Sequence, residues 1–484
     1  MSAIRNNILL VNPPLSLYQR YDSLWMAGAK EPPLGLCYLA SILRKQGYPV
    51  NILDAQAMDL DIYKTVKLIK NYNPRYVGIS ISTIVLENAS ILAELLKKIN
   101  PQIKIIVGGY HITALPIESL RDNINFDIGV VGEGERTIKD LILALDNNKD
   151  ISGIKGLVFR DKENRIVFTG RPQRITNLDE LPYPAFDLLP NINKFYRLTI
   201  QSLNGRFSFS LVTSRGCNGK CLFCDQSAFL DGITMHSAEY IVELLNILYK
   251  KYKIDNILFE DDNFFISKKR LIKIVDLIHK NKLKIRWSAM ARIDSIDREM
   301  LKIAKEGNCW QICYGIESGS QRIIDFYKKG ITIGQIIDTI NLTKKIGIKV
   351  KCFFMLANPL ETEESIKETV NLIKNINIDD ISITFFTPYP GAKIWPDIEH
   401  YGKFYKKWDK MSCFHPIFIP YGFKYNELLK IRKKVLRDFY FRFKIILSYL
   451  NRKFSFSYLR YLLISIYCFS IHIFKKNEVS YCEC

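Results

Sequence analysis

Twice along this chain, short and largely apolar runs alternate with amphipathic stretches two to three times as long. That pattern leaves few folds open. A strand that is apolar on both sides must be covered on both faces, and long crossovers let successive strands lie parallel. In the first half the strand readings are Ile8–Val11, Val50–Asp54, Tyr76–Ser80, Lys104–Val107 and Asp127–Val131. Helix readings separate them at Leu34–Gln46, Leu60–Tyr72 and Leu86–Ile99, and Arg136–Leu145 follows the last. The expectation over residues 1 to about 150 is an open parallel sheet, which binds ligands beyond the carboxyl ends of its strands.

Those ends carry Asn12-Pro13-Pro14, Ser80 to Thr83, Gly108-Gly109-Tyr110-His111 and Gly132-Glu133-Gly134-Glu135. A tight turn explains any one glycine taken alone. Gathered at one edge of one sheet, they read as a place where a ligand meets backbone amides closely.

Hairpin readings at Gly156–Phe159 and Arg165–Phe168, then a connector containing Leu181-Pro182-Tyr183-Pro184, occupy residues 151–195. The second βα series takes residues 196–410. Its strand readings are Phe207–Val212, Asn256–Glu260, Ile285–Ala289, Trp310–Tyr314, Lys349–Phe354 and Ile381–Phe385. Helices read at Ala238–Tyr252, Lys268–Lys280, Arg298–Glu306, Ile333–Ile346 and Glu363–Ile376. Ser267 and Asp297 stand as N-caps, Thr332 with Gln335 forms a capping-box pattern, and Gly307 and Gly347 end two helices. Such a series curls into a partial barrel with its site at the C-terminal strand ends.

The tightest motif follows the first of these strands. Cys217, Cys221 and Cys224 stand at C-x3-C-x2-C spacing in Ser214-Arg215-Gly216-Cys217-Asn218-Gly219-Lys220-Cys221-Leu222-Phe223-Cys224. Three thiolates on one loop can hold a four-iron cluster, leaving one iron open to another ligand. Zinc is the rival, but a structural zinc site wants a fourth Cys or His nearby, and none follows before His236. Three unrelated buried cysteines is the bland alternative. Later strand ends carry Asp261-Asp262-Asn263, Arg292, Glu317-Ser318, Asn358-Pro359 and Tyr389-Pro390-Gly391. Helix capping would also explain Asp262 or Asn263, and a surface ion pair Arg292. Cys309, Cys313 and Cys352 read as buried small apolar residues, with a catalytic thiol at Cys309 or Cys313 as the alternative.

The cysteine motif, with an aromatic before its last Cys, resembles the signature of radical SAM enzymes. The motifs Pro33-Leu34-Gly35-Leu36, Gly108-Gly109-Tyr110-His111 and Gly132-Glu133-Gly134-Glu135 resemble the cobalamin-binding domain that precedes the barrel in one large subfamily. The resemblance implies an α/β chain: a Rossmann-like, flavodoxin-like parallel sheet, a partial TIM-type barrel of six βα units, and a basic helical tail at 411–484. It implies a 4Fe-4S cluster on Cys217, Cys221 and Cys224, which are also the catalytic cysteines. S-adenosylmethionine would lie by Phe223, Asp261, Asp262, Asn263, Arg292, Glu317 and Ser318. Cobalamin would lie by Asn12, Pro13, Gly35, Ser80, Gly108, Gly109, His111, Gly132, Glu133, Gly134 and Glu135. Two departures stand out. The D-x-H-x-x-G motif of an axial histidine is absent, so His111 reads as a hydrogen-bonding residue and the corrin as base-off. Ala357-Asn358-Pro359 replaces an expected G-x-P.

Charge and cysteine usage bound the rest. The 484 residues carry a net charge of +20 and eleven cysteines. An odd cysteine count, with no leader pattern over Met1 to Arg5, argues for a reducing, cytoplasmic setting. Lys424 to Lys476 holds thirteen Lys or Arg against Glu427 and Asp438, so over half of the net charge sits there. Tyr461–Phe474 is apolar but too short to span a bilayer. The tail reads as a peripheral contact with an anionic membrane at its inner face, or as helices over the barrel mouth with basic faces in solvent. Nucleic acid is not expected, since no recognition module is visible.

The resemblance implies methylation of an unactivated carbon of a small-molecule or lipid-type substrate, through a 5′-deoxyadenosyl radical and methylcobalamin. A low-potential donor such as ferredoxin or flavodoxin would supply the electron. Oxidative cyclisation or ring rearrangement of porphyrin-cyclase type is the alternative. Methylthiolation is disfavoured because no second tight Cys cluster is seen; Cys482 and Cys484 at the tip read as accidental.

Overall fold

The computed structural model of the protein describes residues 6–203, 207–229, 232–450 and 456–474. Met1 to Arg5, Phe454, Lys475, Lys476, Cys482 and Cys484 lie outside the described residues.

The first half is an α/β sheet built as the pattern demands. Its strands are β1 (Ile8–Asn12), β2 (Val50–Asp54), β3 (Tyr76–Ser80), β4 (Lys104–Gly108), β5 (Ile128–Val130), β6 (Leu157–Arg160) and β7 (Ile166–Phe168). They lie in the order β2-β1-β3-β4-β5-β6-β7. Neighbours from β2 to β5 pair parallel, and β6 and β7 join antiparallel. The hairpin expected beside the linker is thus the sheet's antiparallel edge, and the sheet runs past residue 150. Alternation sorts the side chains. Ile8, Leu10, Ile52 and Ile106 pack toward helices Leu34–Lys45 and Gly134–Asp146, in a core that continues into the second half. Leu9, Val11, Val77, Ile79 and Val107 pack toward Ile62–Tyr72 and Leu86–Ile99. Strand order reverses between β1 and β3, so the crevice opens at their C-terminal ends.

The second sheet begins with β8 (Ser208–Leu211). A two-residue ladder, β9 (Ser214–Arg215) against β10 (Thr234–Met235), brackets the cysteine loop. The remaining strands are β11 (Asn256–Phe259), β12 (Arg286–Ala291), β13 (Cys309–Glu317), β14 (Lys349–Leu356) and β15 (Asp380–Phe385). β8 and β11 to β15 form one parallel sheet in chain order. Phe209, Phe259, Trp287, Ile312, Tyr314, Val350 and Phe354 share the helix-packed core. The opposite face is polar: Ser208, Ser210, Asn256, Ser288, Gln311, Lys351 and Asp380 are buried there. Helix Ala238–Tyr252 starts at Ser237, whose hydroxyl accepts from Tyr240 N. Ser267 and Asp297 cap the next two helices, and Thr332 with Gln335 closes a capping box.

The tail is helical and docked. Helix Tyr425–Tyr440 buries Leu428, Val435, Leu436 and Phe439. Tyr440 and Tyr449 donate to Asp380 Oδ1 at 3.1 and 2.6 Å, which fixes the tail to β15. Arg432 is buried between the rings of Phe385 and Phe414, so one tail cation faces inward. Helix Phe456–Phe474 reaches back to the first domain, where Tyr461 donates to Gly28 O at 3.2 Å under the Arg197 guanidinium.

Candidate active site

The cysteine loop leaves β9 and is pinned along its length. Leu222 N donates to Tyr327 O, and Ile394 N donates to Leu222 O. Gly391 has no room for a side chain, because Asp225 and Ser227 occupy that space. All three cysteines are free thiols, and electrostatic coupling runs among them. Burial pushes the Cys224 thiol up to about 12, with Asp262 adding to the rise. Cys217, Cys221 and Cys224 feel one another's charge and so share one neighbourhood, as ligands on different irons of one cluster must, and the donor set fits a cluster.

Around the loop the expected residues divide into two groups. Arg292 faces the cysteines: its guanidinium lies 3.6 Å from Cys221 Sγ, donates to Lys329 O at 2.6 Å and is paired with Asp294. It is buried, so the surface ion-pair reading fails for want of solvent. Asp262 opens to the cavity, and its carboxyl is held above the usual range by burial and by Asp261. Glu317 ends β13 at φ 72°, a strained conformation for a non-glycine residue, and accepts from buried Lys329 at 2.9 Å. A β-carbon on Gly315 would strike that carboxylate. Phe223 packs edge-on against Tyr327 at 4.8 Å with Lys329 above its ring.

The second group is turned into the scaffold. Asp261 is fully buried and accepts from Thr213 Oγ1, Ser214 Oγ and Arg270 at 2.6, 2.7 and 3.2 Å, which sets the entry to the cysteine loop. Asn263 donates to Ser295, and Ser318 bonds Thr369. Cys309, Cys313 and Cys352 are buried in the barrel, and burial holds each thiol up. Ala357, where a glycine was expected, has φ 61° and so adopts the conformation that favours glycine. Asn358 accepts from Tyr327 OH, and Lys329 supports Glu317. Neither contact was visible in the sequence, since Lys329 follows a helix in an ordinary Lys-Lys-Gly turn.

The glycine-bearing ends of the first sheet open on one cavity of about 810 Å³, whose lining does not include Cys217, Cys221 or Cys224. Gly35, Ser80, Gly108, Gly109, Gly132 and Gly134 line it together with Ser214, Arg215 and Asp262. Beside Gly35 a β-carbon would meet nothing within 4 Å, and Gly109 has φ 109° against Ile81 O. The open space at Gly35 leaves room for a ligand, while at Gly109 the Ile81 backbone already fills the place of a side chain. Asn12 also lines it, but its amide is engaged by Asp54 and Gln56; Pro13 lies outside the lining. Glu133 and Glu135 are taken up by Arg215 at 2.7 and 2.5 Å, tying the glutamate loop to the cysteine loop. His111 is buried, bonds Thr83 at 3.2 Å and is lowered to about 4 by burial. It does not line the cavity, in keeping with a hydrogen-bonding role. Tyr110, unmarked in the sequence, bridges toward the cysteine side through Phe229.

A glycine-edged crevice that meets the entry to the cysteine loop at Ser214 and Arg215 is the arrangement of a two-cofactor radical enzyme. Residues 26–142 match the model of the B12 binding domain, and residues 211–373 match that of the radical SAM superfamily. The chain belongs to the cobalamin-binding radical SAM family, whose cofactors are cobalamin, S-adenosylmethionine and a 4Fe-4S cluster. It is 36% identical over 445 residues to an uncharacterized methyltransferase of Pyrococcus horikoshii, covering 91% of this chain and 94% of that one. It is 25% identical to the anaerobic magnesium-protoporphyrin IX monomethyl ester cyclase of Rubrivivax gelatinosus, covering 82% and 72%. The fold matches the cobalamin-dependent S-adenosylmethionine radical enzyme OxsB with aqua-cobalamin bound, at TM-score 0.67 and 22% identity. That match covers 82% of this chain but 55% of the solved one, so the chain spans about half of that structure.

Proposed function

We propose that the protein methylates an unactivated carbon of a small-molecule or lipid-type substrate. The observation that carries this reading is the single cavity lined at once by the glycine edge and by Ser214, Arg215 and Asp262 beside the cysteine loop. When bound, the cluster and S-adenosylmethionine supply a radical able to take hydrogen from such a carbon, and the corrin supplies the methyl group. Cys217, Cys221 and Cys224 hold the cluster. Arg292, a cation beside Cys221, steadies thiolate charge there. Glu317, fixed by Lys329, and Asp262 would help to hold S-adenosylmethionine through its polar groups. Gly35, Gly108, Gly109, Gly132 and Gly134 give the corrin its close approach. Arg215, paired with Glu133 and Glu135, ties the seam between the two halves.

Two partners belong to the reading. A low-potential ferredoxin or flavodoxin delivers the electron, and an anionic membrane surface receives the tail. The second is supported by an outward apolar row on helix Phe456–Phe474, with Leu463 and Tyr467 each 59% exposed. No described helix is long and apolar enough to cross a membrane.

The test is anaerobic reconstitution with S-adenosylmethionine, cobalamin and a lipid extract. Formation of both 5′-deoxyadenosine and S-adenosylhomocysteine, with a methylated product, is the expected result. Deoxyadenosine without S-adenosylhomocysteine would replace methyl transfer by the cyclase-type alternative.

A further inference from the structure

One corner of the cavity is used by nothing described so far. Glu260 follows β11, on the side opposite Phe259, and its N–H donates to Leu211 O at 2.8 Å. Its carboxyl lies in hydrogen-bonding reach of Ser210 and of Glu31. Glu31 is reached by Arg20 at 2.7 Å. The three residues come from three separate segments: helix Leu17–Tyr21, the turn before helix Leu34–Lys45, and β11. All three line the same cavity as the glycine edge and Asp262. Tyr21, Tyr389, Met411 and Phe414 line it beside them, and Tyr21 meets Phe414 edge-on at 5.4 Å.

The charges do not balance. At the corner one guanidinium faces two carboxylates. Tyr21 and Cys313, which also feel Glu260, are neutral in their ordinary forms, and beyond Cys313 the buried Lys351 and Asp380 are one cation and one anion that offset each other. Burial, with the Glu31 charge beside it, pushes Glu260 up to about 8. A proton held by the carboxylate pair offsets that imbalance. A cationic donor arriving there would displace that proton and satisfy both carboxylates, whereas an anion would meet like charge.

We propose that Glu260, Glu31 and Arg20 are the substrate-recognition corner of the cavity, and that the group they hold is a protonated amine carried on a mainly apolar substrate. This rests on the cavity being the active site. Ser210 orients Glu260, Arg20 holds Glu31, and the aromatic wall takes the apolar body.

The test uses full-length protein loaded with cluster and cobalamin, and hexylamine, hexanol and hexanoate as probes in calorimetry. Hexylamine is expected to bind about tenfold or more tighter than hexanol, with hexanoate weaker still. Its affinity rises between about pH 7 and about pH 8.5, where the amine stays protonated while the carboxylate pair gives up its proton. At the lower pH, binding releases a proton into the buffer. Glu260→Gln, close in shape, should keep cluster and corrin yet bind hexylamine and hexanol alike; Glu31→Gln checks the same point from the other side. Hexanoate binding as well as hexylamine, or an amine preference that survives in both variants, overturns the proposal. Loaded protein that cleaves S-adenosylmethionine but shows no amine preference overturns this inference alone. Protein that holds neither cluster nor corrin overturns the enzymatic reading beneath it.

Discussion

The two sheets each put their chemistry at C-terminal strand ends, but they build it from different material. The barrel presents side chains: three thiols, the Arg292 guanidinium, Glu317 and Lys329. The first sheet presents bare backbone, with Gly35, Gly108, Gly109 and Gly132 along one cavity wall. Its charged groups there, Glu133 and Glu135, are already paired with Arg215. A redox cluster needs donor atoms in fixed places. A large planar ligand needs room and unobstructed amides. Damage to the two sides should therefore look different.

The largest effect belongs to the side-chain half. Cys217→Ala should abolish visible iron–sulfur absorbance and lower cleavage of S-adenosylmethionine by about a thousandfold or more, while the far-ultraviolet spectrum is retained. Corrin retention should survive, because the backbone wall is untouched. A variant that kept both absorbance and cleavage would sink the division of labour.

The seam comes next. Arg215→Ala leaves two buried carboxylates without a cation, and breaking a buried pair from one side costs about 3–5 kcal/mol. The denaturant midpoint should fall accordingly. A midpoint equal to that of the native protein at pH 7 would mean that the halves do not depend on this tie.

Gly35→Leu sharpens the comparison in the other direction. Nothing in the protein meets a β-carbon there, and leucine is the better helix former by about 0.8 kcal/mol or less. Stability should hold or rise slightly and cluster absorbance should be unchanged. Hydroxocobalamin retained through desalting should fall by about tenfold or more, since the new side chain enters the cavity. Full retention would move the corrin away from this wall.

Much of this was legible in the sequence, for a physical reason. The βα pattern located every sheet strand of the barrel to within about three residues, because burial on both faces forces composition and capping forces the ends. The cysteine spacing marked one loop in advance, because its three thiols are neighbours in the chain. What stayed hidden depends on distant segments meeting. Lys329 became informative only against Glu317, and Glu31 only against Glu260. Asp261 looked like a ligand residue by position, yet alternation turns it away from the cavity and toward Thr213 and Arg270. The hairpin at β6 and β7 was found, but its pairing with β5 was not, since pairing partners leave no local mark.

The smallest effect concerns the tail, where apolar surface and charge act together. Helix Phe456–Phe474 buries Tyr461 and Leu462 against the first domain and turns Leu459, Leu463, Ile466 and Tyr467 outward. Phe443 and Leu450, on the preceding helix, are 75% and 50% exposed. Each cation at an anionic surface contributes about 1 kcal/mol, and the Debye length shrinks from about 30 Å to about 3 Å between 0.01 and 1 M salt. Arg432 is buried and contributes nothing, but Lys430, Lys433, Lys434 and Lys444 remain on the tail helices. Full-length protein should sediment with phosphatidylserine vesicles at low salt and come free as salt rises. Leu463→Asp with Ile466→Asp should weaken binding by about 2–5 kcal/mol without touching Tyr461 or Leu462, so the helix stays docked. Ending the chain at Leu450 removes the whole apolar row of the last helix and should weaken binding further, leaving only the cations and apolar side chains before it. Protein that remains in the supernatant at low salt would make the tail a cover for the first domain, and the comparison would then reduce to the two sheets alone.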